Sequence, residues 1–139
     1  MILVDTNVFS ELVKPAPDAN VVDWLFNHRR ETLLSSLVVA EIDAGVRTTS
    51  GAAKRKLLQA WLDRLIAEHA ERIVDFDLRA ARRWAGFQSA VLIADRRAGT
   101  RAIDTLLAAQ ALALDVPFAT RNARNFEDTE VTIIDPWQA

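Results

Sequence analysis

Three acidic residues stand where solvation alone does not account for them. The apolar run Met1-Ile2-Leu3-Val4 stops at Asp5-Thr6-Asn7, and an amphipathic stretch from Val8 to Val13 begins at once. In open α/β sheets ligands bind outside the carboxyl ends of the strands, so a carboxylate where a first strand yields to a helix is a candidate site residue. Asp5 would equally serve as the cap of that helix through its side-chain oxygen. Glu41 lies in Ser36-Leu37-Val38-Val39-Ala40-Glu41-Ile42-Asp43-Ala44-Gly45, and its helix-surface neighbours are Leu37, Val38, Ala44 and Gly45. A glutamate in such a stripe is expected to be buried and to need a positive partner, with Ala40, Ala44 and Gly45 leaving room for a pocket. Asp43 shows a weaker form of the same pattern.

Asp104 opens a helical stretch whose stripe continues through Leu107, Ala108, Ala111 and Leu114. It therefore faces inward from the first turn, although attraction to the helix dipole would also place an acid there. Like charges at close range raise one another's pKa. Bringing Asp5, Glu41 and Asp104 together calls for a cation. All-oxygen ligation suits Mg²⁺ or Mn²⁺, ions that activate water against a phosphodiester and stabilise the charge that develops on its oxygens. A fourth cluster, Ala119-Thr120-Arg121-Asn122-Ala123-Arg124-Asn125, follows a later strand and reads either as a polar turn or as the neighbour of Asp5, if the two strands adjoin.

The elements that must position these residues follow from periodicity. Strand-like runs occur at Ile2-Val4, Thr32-Ser35, Ile73-Phe76, Pro117-Thr120 and Val131-Ile134, and mostly helical segments lie between the first four. That alternation argues for a parallel sheet with helices on both faces. Asp18-Ala19-Asn20 reads as a helix cap before Val21. Ser50 precedes a long helix with Ala53, Leu57, Leu58, Trp61, Leu62, Leu65 and Ile66 on one stripe. A further helix is expected from about Leu78 to Arg97, with Ala81, Trp84, Ala85, Val91 and Leu92 inward, broken at Gly99-Thr100.

The 139 residues read as one domain, 1–139. Charged residues make up 26% and no stretch approaches the roughly 18 apolar residues of a membrane span, so a cytoplasmic protein with no membrane partner is expected. Zero cysteines exclude disulfides, thiolate zinc sites and cysteine nucleophiles. The two histidines, His28 and His69, lie in separate helical stretches and are expected on the surface. A net charge of −2 predicts no global attraction to nucleic acid. The local balance differs, because the positive charge is fourteen Arg against three Lys, and Arg suits bidentate phosphate contacts. Arg121 and Arg124 adjoin the inferred site, Arg96, Arg97 and Arg101 precede Asp104, and Arg82 and Arg83 read as a solvated helix face.

Val4-Asp5-Thr6-Asn7, Ala40-Glu41-Ile42, Ile103-Asp104-Thr105-Leu106-Leu107-Ala108-Ala109 and Ala119-Thr120-Arg121-Asn122 together resemble, in order and spacing, the PIN-domain proteins, and within them the VapC-type toxins of toxin–antitoxin pairs, including the FitB-like branch. The resemblance spans the chain to Asp135-Pro136-Trp137. It implies a three-layer α/β/α fold around a five-stranded parallel sheet and Mg²⁺- or Mn²⁺-dependent endoribonuclease activity. Asp5, Glu41 and Asp104 match the family's metal-binding acids, Asn7 the polar residue beside the first acid, and Thr120 a hydroxyl near the site. It also implies a homodimer inhibited by a small antitoxin, with DNA engaged only through that antitoxin. One departure is plain: Asn122 stands where many members carry a fourth acid, and Asn125 where another Asp is frequent. That favours, as the alternative, a PIN-fold binding or regulatory module with weak or no catalysis. An aspartyl-phosphate enzyme using Asp5 as nucleophile fits less well, because Asn7 replaces the second Asp and no lysine lies near the later strands.

Overall fold

Five short strands, β1 (Ile2–Val4), β2 (Thr32–Ser35), β3 (Ile73–Val74), β4 (Phe118–Ala119) and β5 (Ile133–Ile134), pair in parallel in the order β3-β2-β1-β4-β5. They are seen in a computed structural model that describes residues 1–94, 102–127 and 129–139. The crossovers are helical: α1 (Thr6–Glu11), α2 (Ala19–Asn27), α3 (Ser36–Arg47), α4 (Ala52–Glu68), α5 (Leu78–Ala94) and α6 (Ala102–Leu114). The result is the α/β/α arrangement expected, with β3, β4 and β5 each shorter than the apolar runs that announced them. Order reverses between β2 and β4, on either side of β1, and that reversal opens a crevice at the carboxyl ends of the central strands.

β1 and its flanks form a continuous apolar centre. Leu3, Val4, Val8, Leu34, Val38, Leu107, Ala108, Phe118 and Ala119 have no exposed surface. Strands buried on both faces read as unbroken apolar runs rather than alternating ones, which is why Ile2-Leu3-Val4 is uniformly buried. Local chemistry starts the helices. Asp18 Oδ1 accepts from Asn20 N at 2.9 Å and Val21 N at 3.4 Å to cap α2, and Ser35 Oγ accepts from Leu37 N at 3.1 Å to cap α3. The cap of α4 is Gly51, at φ 93°, instead of the expected Ser50, and it makes no side-chain hydrogen bond.

Several expected core positions fall elsewhere. In α4 only Leu62 and Leu65 are buried, with Leu58, Trp61 and Ile66 partly so, while Leu57 is 72% exposed, because α4 lies against α3 and only one narrow side of it reaches the core. Ala80 is the buried residue of the first turn of α5, and Ala85 is exposed. Leu114 is also exposed. The continuation of α5 to Arg97, the Gly99-Thr100 break and the cations Arg96, Arg97 and Arg101 lie outside the described residues, as do the side chains of Val91 and Leu92.

His69 corrects a second expectation: it is buried. A carbonyl only accepts, so Nδ1–H donates to Leu65 O at 2.9 Å, leaving Nε2 to accept from the Thr32 hydroxyl at 3.0 Å. The ring meets Phe9 edge-on at 5.4 Å, tying the end of α4 to β2. Its position continues the stripe of α4, four residues after Leu65, as the C-terminal cap of that helix, so residue type rather than spacing misled the expectation. Burial holds its pKa below 6.5, with Arg72 adding to the effect and the Leu65 carbonyl and Glu68 opposing it. The folded state thus binds fewer protons than the unfolded, so His69 contributes stability above pH 6.5 that is lost as pH falls below it. Melting temperature measured from pH 8 to 5 is expected to fall less steeply in His69→Gln than in the wild type.

Candidate active site

The site begins with strand register. β1 pairs with β4 as Leu3↔Phe118 and Val4↔Ala119, so the next residues out, Asp5 and Thr120, leave adjacent strands at one level. Asp5 N donates to Ala119 O at 2.9 Å, and Thr120 N to Ile134 O at 3.0 Å. The Thr120 hydroxyl donates to Asp5 Oδ2 at 2.7 Å, both residues being buried. Asn7 Nδ2 donates to the same oxygen at 3.2 Å. The other oxygen, Oδ1, accepts from Thr6 N at 2.7 Å. Capping and site are thus the same carboxylate: one oxygen caps α1, and the other joins the polar cluster at the crevice.

The loop after β4 carries this cluster to Asp104. Asn122 N donates to Thr120 Oγ1 at 3.1 Å and Asn122 Nδ2 to Asp104 Oδ2 at 3.0 Å. A chain of hydrogen bonds, Asp5–Thr120–Asn122–Asp104, therefore links the two acids from opposite ends of the sequence. Asp104 is half-buried in the first turn of α6. Burial is the largest influence on Asp5, whose carboxyl is pushed up from 3.8 to about 7. The Thr120 hydroxyl and Thr6 N–H oppose the shift, while Asp104 and, more weakly, Glu41 add to it as like charges.

Glu41 is near enough for Asp5 to feel its charge but is exposed, against the expectation of a buried glutamate. The buried face of α3 is Val38, Ile42 and Val46. Its opposite side, Ala40, Glu41, Ala44 and Gly45, is exposed, and a Cβ added at Gly45 meets nothing within 4 Å. Of the apolar neighbours of Glu41, Val38 is buried in the core and Leu37 packs against it, whereas the small Ala44 and Gly45 are open to solvent, so Glu41 sits at the edge of the apolar face and not within it. Asp43 pairs with Arg47 along the helix. Asn125 anchors the turn Ala123–Phe126 through its N–H to Asn122 O at 3.0 Å; Arg124 is exposed on that turn and Arg121 is exposed just before it.

Two polar residues of the site escaped sequence reasoning. Gln110, 1% exposed, accepts from Ser35 Oγ at 2.6 Å and donates to Val74 O at 3.4 Å, fastening α6 to the ends of β2 and β3. A polar residue among Leu106-Leu107-Ala108-Ala109-Gln110-Ala111 is the signal that would have found it. Thr6 Oγ1 is buried with no hydrogen-bond partner among the described residues, and nothing in its sequence context distinguishes it from a helix-start threonine.

As they stand, no three His, Cys, Asp or Glu side chains among the described residues form a group able to hold a metal ion. The donor chemistry nevertheless fits a hard divalent cation: Asp5, Asp104 and Glu41 are close enough to interact as like charges, burial and that repulsion disfavour the ionised form of Asp5, and the Thr6 hydroxyl oxygen is buried with no partner among the described residues. Asn122 sets the present balance, since its amide N–H satisfies Asp104 where an aspartate would repel it. Asn122→Asp is accordingly expected to tighten Mn²⁺ binding by about tenfold and to lower the metal-free melting temperature through loss of a hydrogen bond to a charged group, about 1.5–3 kcal/mol. Calorimetric titration with Mn²⁺ and thermal melts in chelator check the two halves.

A parallel sheet flanked by helices, with acids at its central switch point, places the chain among α/β proteins with an acidic site at the strand ends. The PIN domain family model matches residues 2–131, and the chain belongs to that family. Within it the chain is a VapC-type, FitB-like member. It is 35% identical to "VapC ribonuclease Y4jK" of Sinorhizobium fredii and 34% identical to "Toxin FitB" of Neisseria gonorrhoeae, each over 99% of both chains. The crystal structure of FitAcB from Neisseria gonorrhoeae superposes with a TM-score of 0.86 at 32% identity, covering all of both chains. Among the described residues no helix is long and apolar enough to cross a membrane.

Proposed function

We propose that this protein is a Mg²⁺- or Mn²⁺-dependent endoribonuclease and the toxin of a toxin–antitoxin pair. The observation that carries the reading is Asp5: a buried carboxylate at the switch point of the sheet, pushed up to about 7 and facing Asp104 and Glu41. Names of relatives as a VapC ribonuclease and a toxin support the same reading. Asp5, Asp104 and Glu41 would hold the ion, which when bound supplies charge stabilisation at the scissile phosphate and an activated water. Thr120 orients Asp5, Asn122 orients Asp104, and Asn7 bridges Asp5 to the loop after β4, since Arg121 N donates to Asn7 Oδ1 at 3.4 Å. The exposed Arg121 and Arg124 would meet RNA or the antitoxin. A homodimer, and a complex with a small antitoxin seated over the crevice, complete the proposal.

The test is cleavage of total cellular RNA with Mg²⁺, with Mn²⁺ and with chelator, using Asp5→Ala and Asp104→Ala as controls. Metal-dependent cutting lost in both variants is expected, and cutting that survives both substitutions refutes the site. The second reading, a binding module without catalysis, is favoured by one observation, Asn122 Nδ2 occupying Asp104 where an additional acid would stand. RNA binding without cleavage in either metal would select it.

A further inference from the structure

Arg121 does not project freely from its turn. Its guanidinium carbon lies 5.0 Å from the centre of the Trp137 ring, within the range in which a cation is attracted to an aromatic face, and Trp is the strongest partner for it. Trp137 is itself fixed: its N–H donates to Asp135 Oδ1 at 3.0 Å, and its carbonyl accepts from Asn20 Nδ2 at 3.0 Å. On another side stands Glu11, buried at the end of α1 and close enough for the charge of Arg121 to lower its pKa, after the larger effect of Lys14. Glu11 Oε2 is 2.7 Å from Lys14 Nζ, and Oε1 accepts from Asp18 N at 3.2 Å. Lys14 is therefore the direct partner of Glu11, and Arg121 forms no ion pair among the described residues.

Its place in the chain gives that charge a use. Arg121 is the residue between Thr120, which holds Asp5, and Asn122, which holds Asp104, and its own N–H is tied to Asn7. We infer that Arg121 binds an RNA phosphate at the rim of the acidic crevice, and that Trp137 is a positioning residue that holds its guanidinium there. The inference rests on the ribonuclease reading above and deepens it. A polyanion approaching three carboxylates needs a positive contact outside them, and a guanidinium held over a ring by a cation–π contact has its position restricted before binding while its N–H groups can still bond phosphate bidentately. Trp137 belongs to the short C-terminal helix Pro136–Gln138, so this support comes from the far end of the chain.

The experiment measures KM and kcat for Mn²⁺-dependent cleavage of end-labelled total cellular RNA, and the salt dependence of RNA binding in chelator, for Arg121→Ala, Trp137→Leu, Trp137→Phe and the exposed control Arg82→Ala. Arg121→Ala is expected to raise KM about tenfold, the cost of one charge-assisted phosphate contact, with the loss falling on KM far more than on kcat. The slope of log affinity against log salt should flatten by about one. Trp137→Leu should move KM in the same direction, Trp137→Phe should recover most of it, and Arg82→Ala should match the wild type. Unchanged KM and salt slope in Arg121→Ala overturn the inference while the wild type still cuts RNA, and would assign Arg121 to a protein-facing surface. An equal loss in Trp137→Leu and Trp137→Phe with Arg121→Ala unaffected would reduce Trp137 to packing and overturn its positioning role. A wild type that neither binds nor cuts RNA overturns the proposed function, and this inference with it.

Discussion

Asp5→Asn should leave a protein that no longer cuts RNA yet resists unfolding better than the wild type when metal is removed. The two effects have one cause. Asp5 is 2% exposed, and its carboxyl is raised from 3.8 to about 7. Between those values the folded state binds more protons than the unfolded, so the metal-free protein loses stability as pH rises from about 4 to 7 and does not regain it above. Roughly three pH units at 1.36 kcal/mol each give a cost on the order of 4 kcal/mol at pH 8. That is a large share of the 5–15 kcal/mol typical of a domain. Asparagine removes the charge but keeps an oxygen for Thr6 N, so the cap of α1 survives. Melts in chelator at pH 8 should show the variant more stable by up to this amount, with the gap closing toward pH 4. Removing a charged metal ligand should at the same time cost at least about a hundredfold in cleavage. Equal stability at pH 8 would mean that Asp5 is solvated or paired in the metal-free protein.

Phe118→Ala is expected to have the largest effect on stability of any single side-chain truncation near the site. Phe118 is wholly buried in β4 and meets Phe126 edge-on at 5.8 Å. It is also the residue registered opposite Leu3 of β1 and Ile133 of β5. Truncating a buried phenylalanine costs about 3–5 kcal/mol through lost transfer energy and the cavity left behind. Because β4 is only Phe118–Ala119, no neighbouring turn of strand can absorb the change. Thr120 would lose its fixed level beside Asp5, so cleavage should decline at temperatures well below the melting point. Urea unfolding gives the stability loss, and activity against temperature gives the second part. Phe26→Ala, with Phe26 62% exposed, should change neither.

Much of this site was readable before any fold was known, and the reasons differ by residue. Asp5 was legible because an apolar run ending in an acid marks a strand exit, and Asp104 because a first-turn acid shared a face with Leu107, Ala108 and Ala111. Glu41 was legible as a site candidate for a reason that proved partly mistaken. Two of its neighbours, Leu37 and Val38, do pack in the core while Ala44 and Gly45 are open, and periodicity cannot place a residue at the edge of such a face. His69 was misplaced on the surface because its partners, Thr32 and Phe9, are distant in sequence. The Arg121–Trp137 pair was invisible for the same reason, since no local pattern says which ring an exposed arginine will lie over.

Sequence alone determined the alternation of strand and helix from which a parallel sheet was expected, and singled out three acids as candidates, because those signals lie in residues within a few positions of one another. Tertiary structure alone decided that β1 and β4 are neighbours, that Thr120 reaches Asp5 and Asn122 reaches Asp104, and that Glu41 stands open to solvent. Those outcomes depend on strand order and on which side of each helix meets the sheet. Contacts spanning 115 residues, as between Thr120 and Asp5, arise only once the chain has closed around β1. The chemistry of the site was therefore written locally in residue type, and its geometry was set by long-range packing.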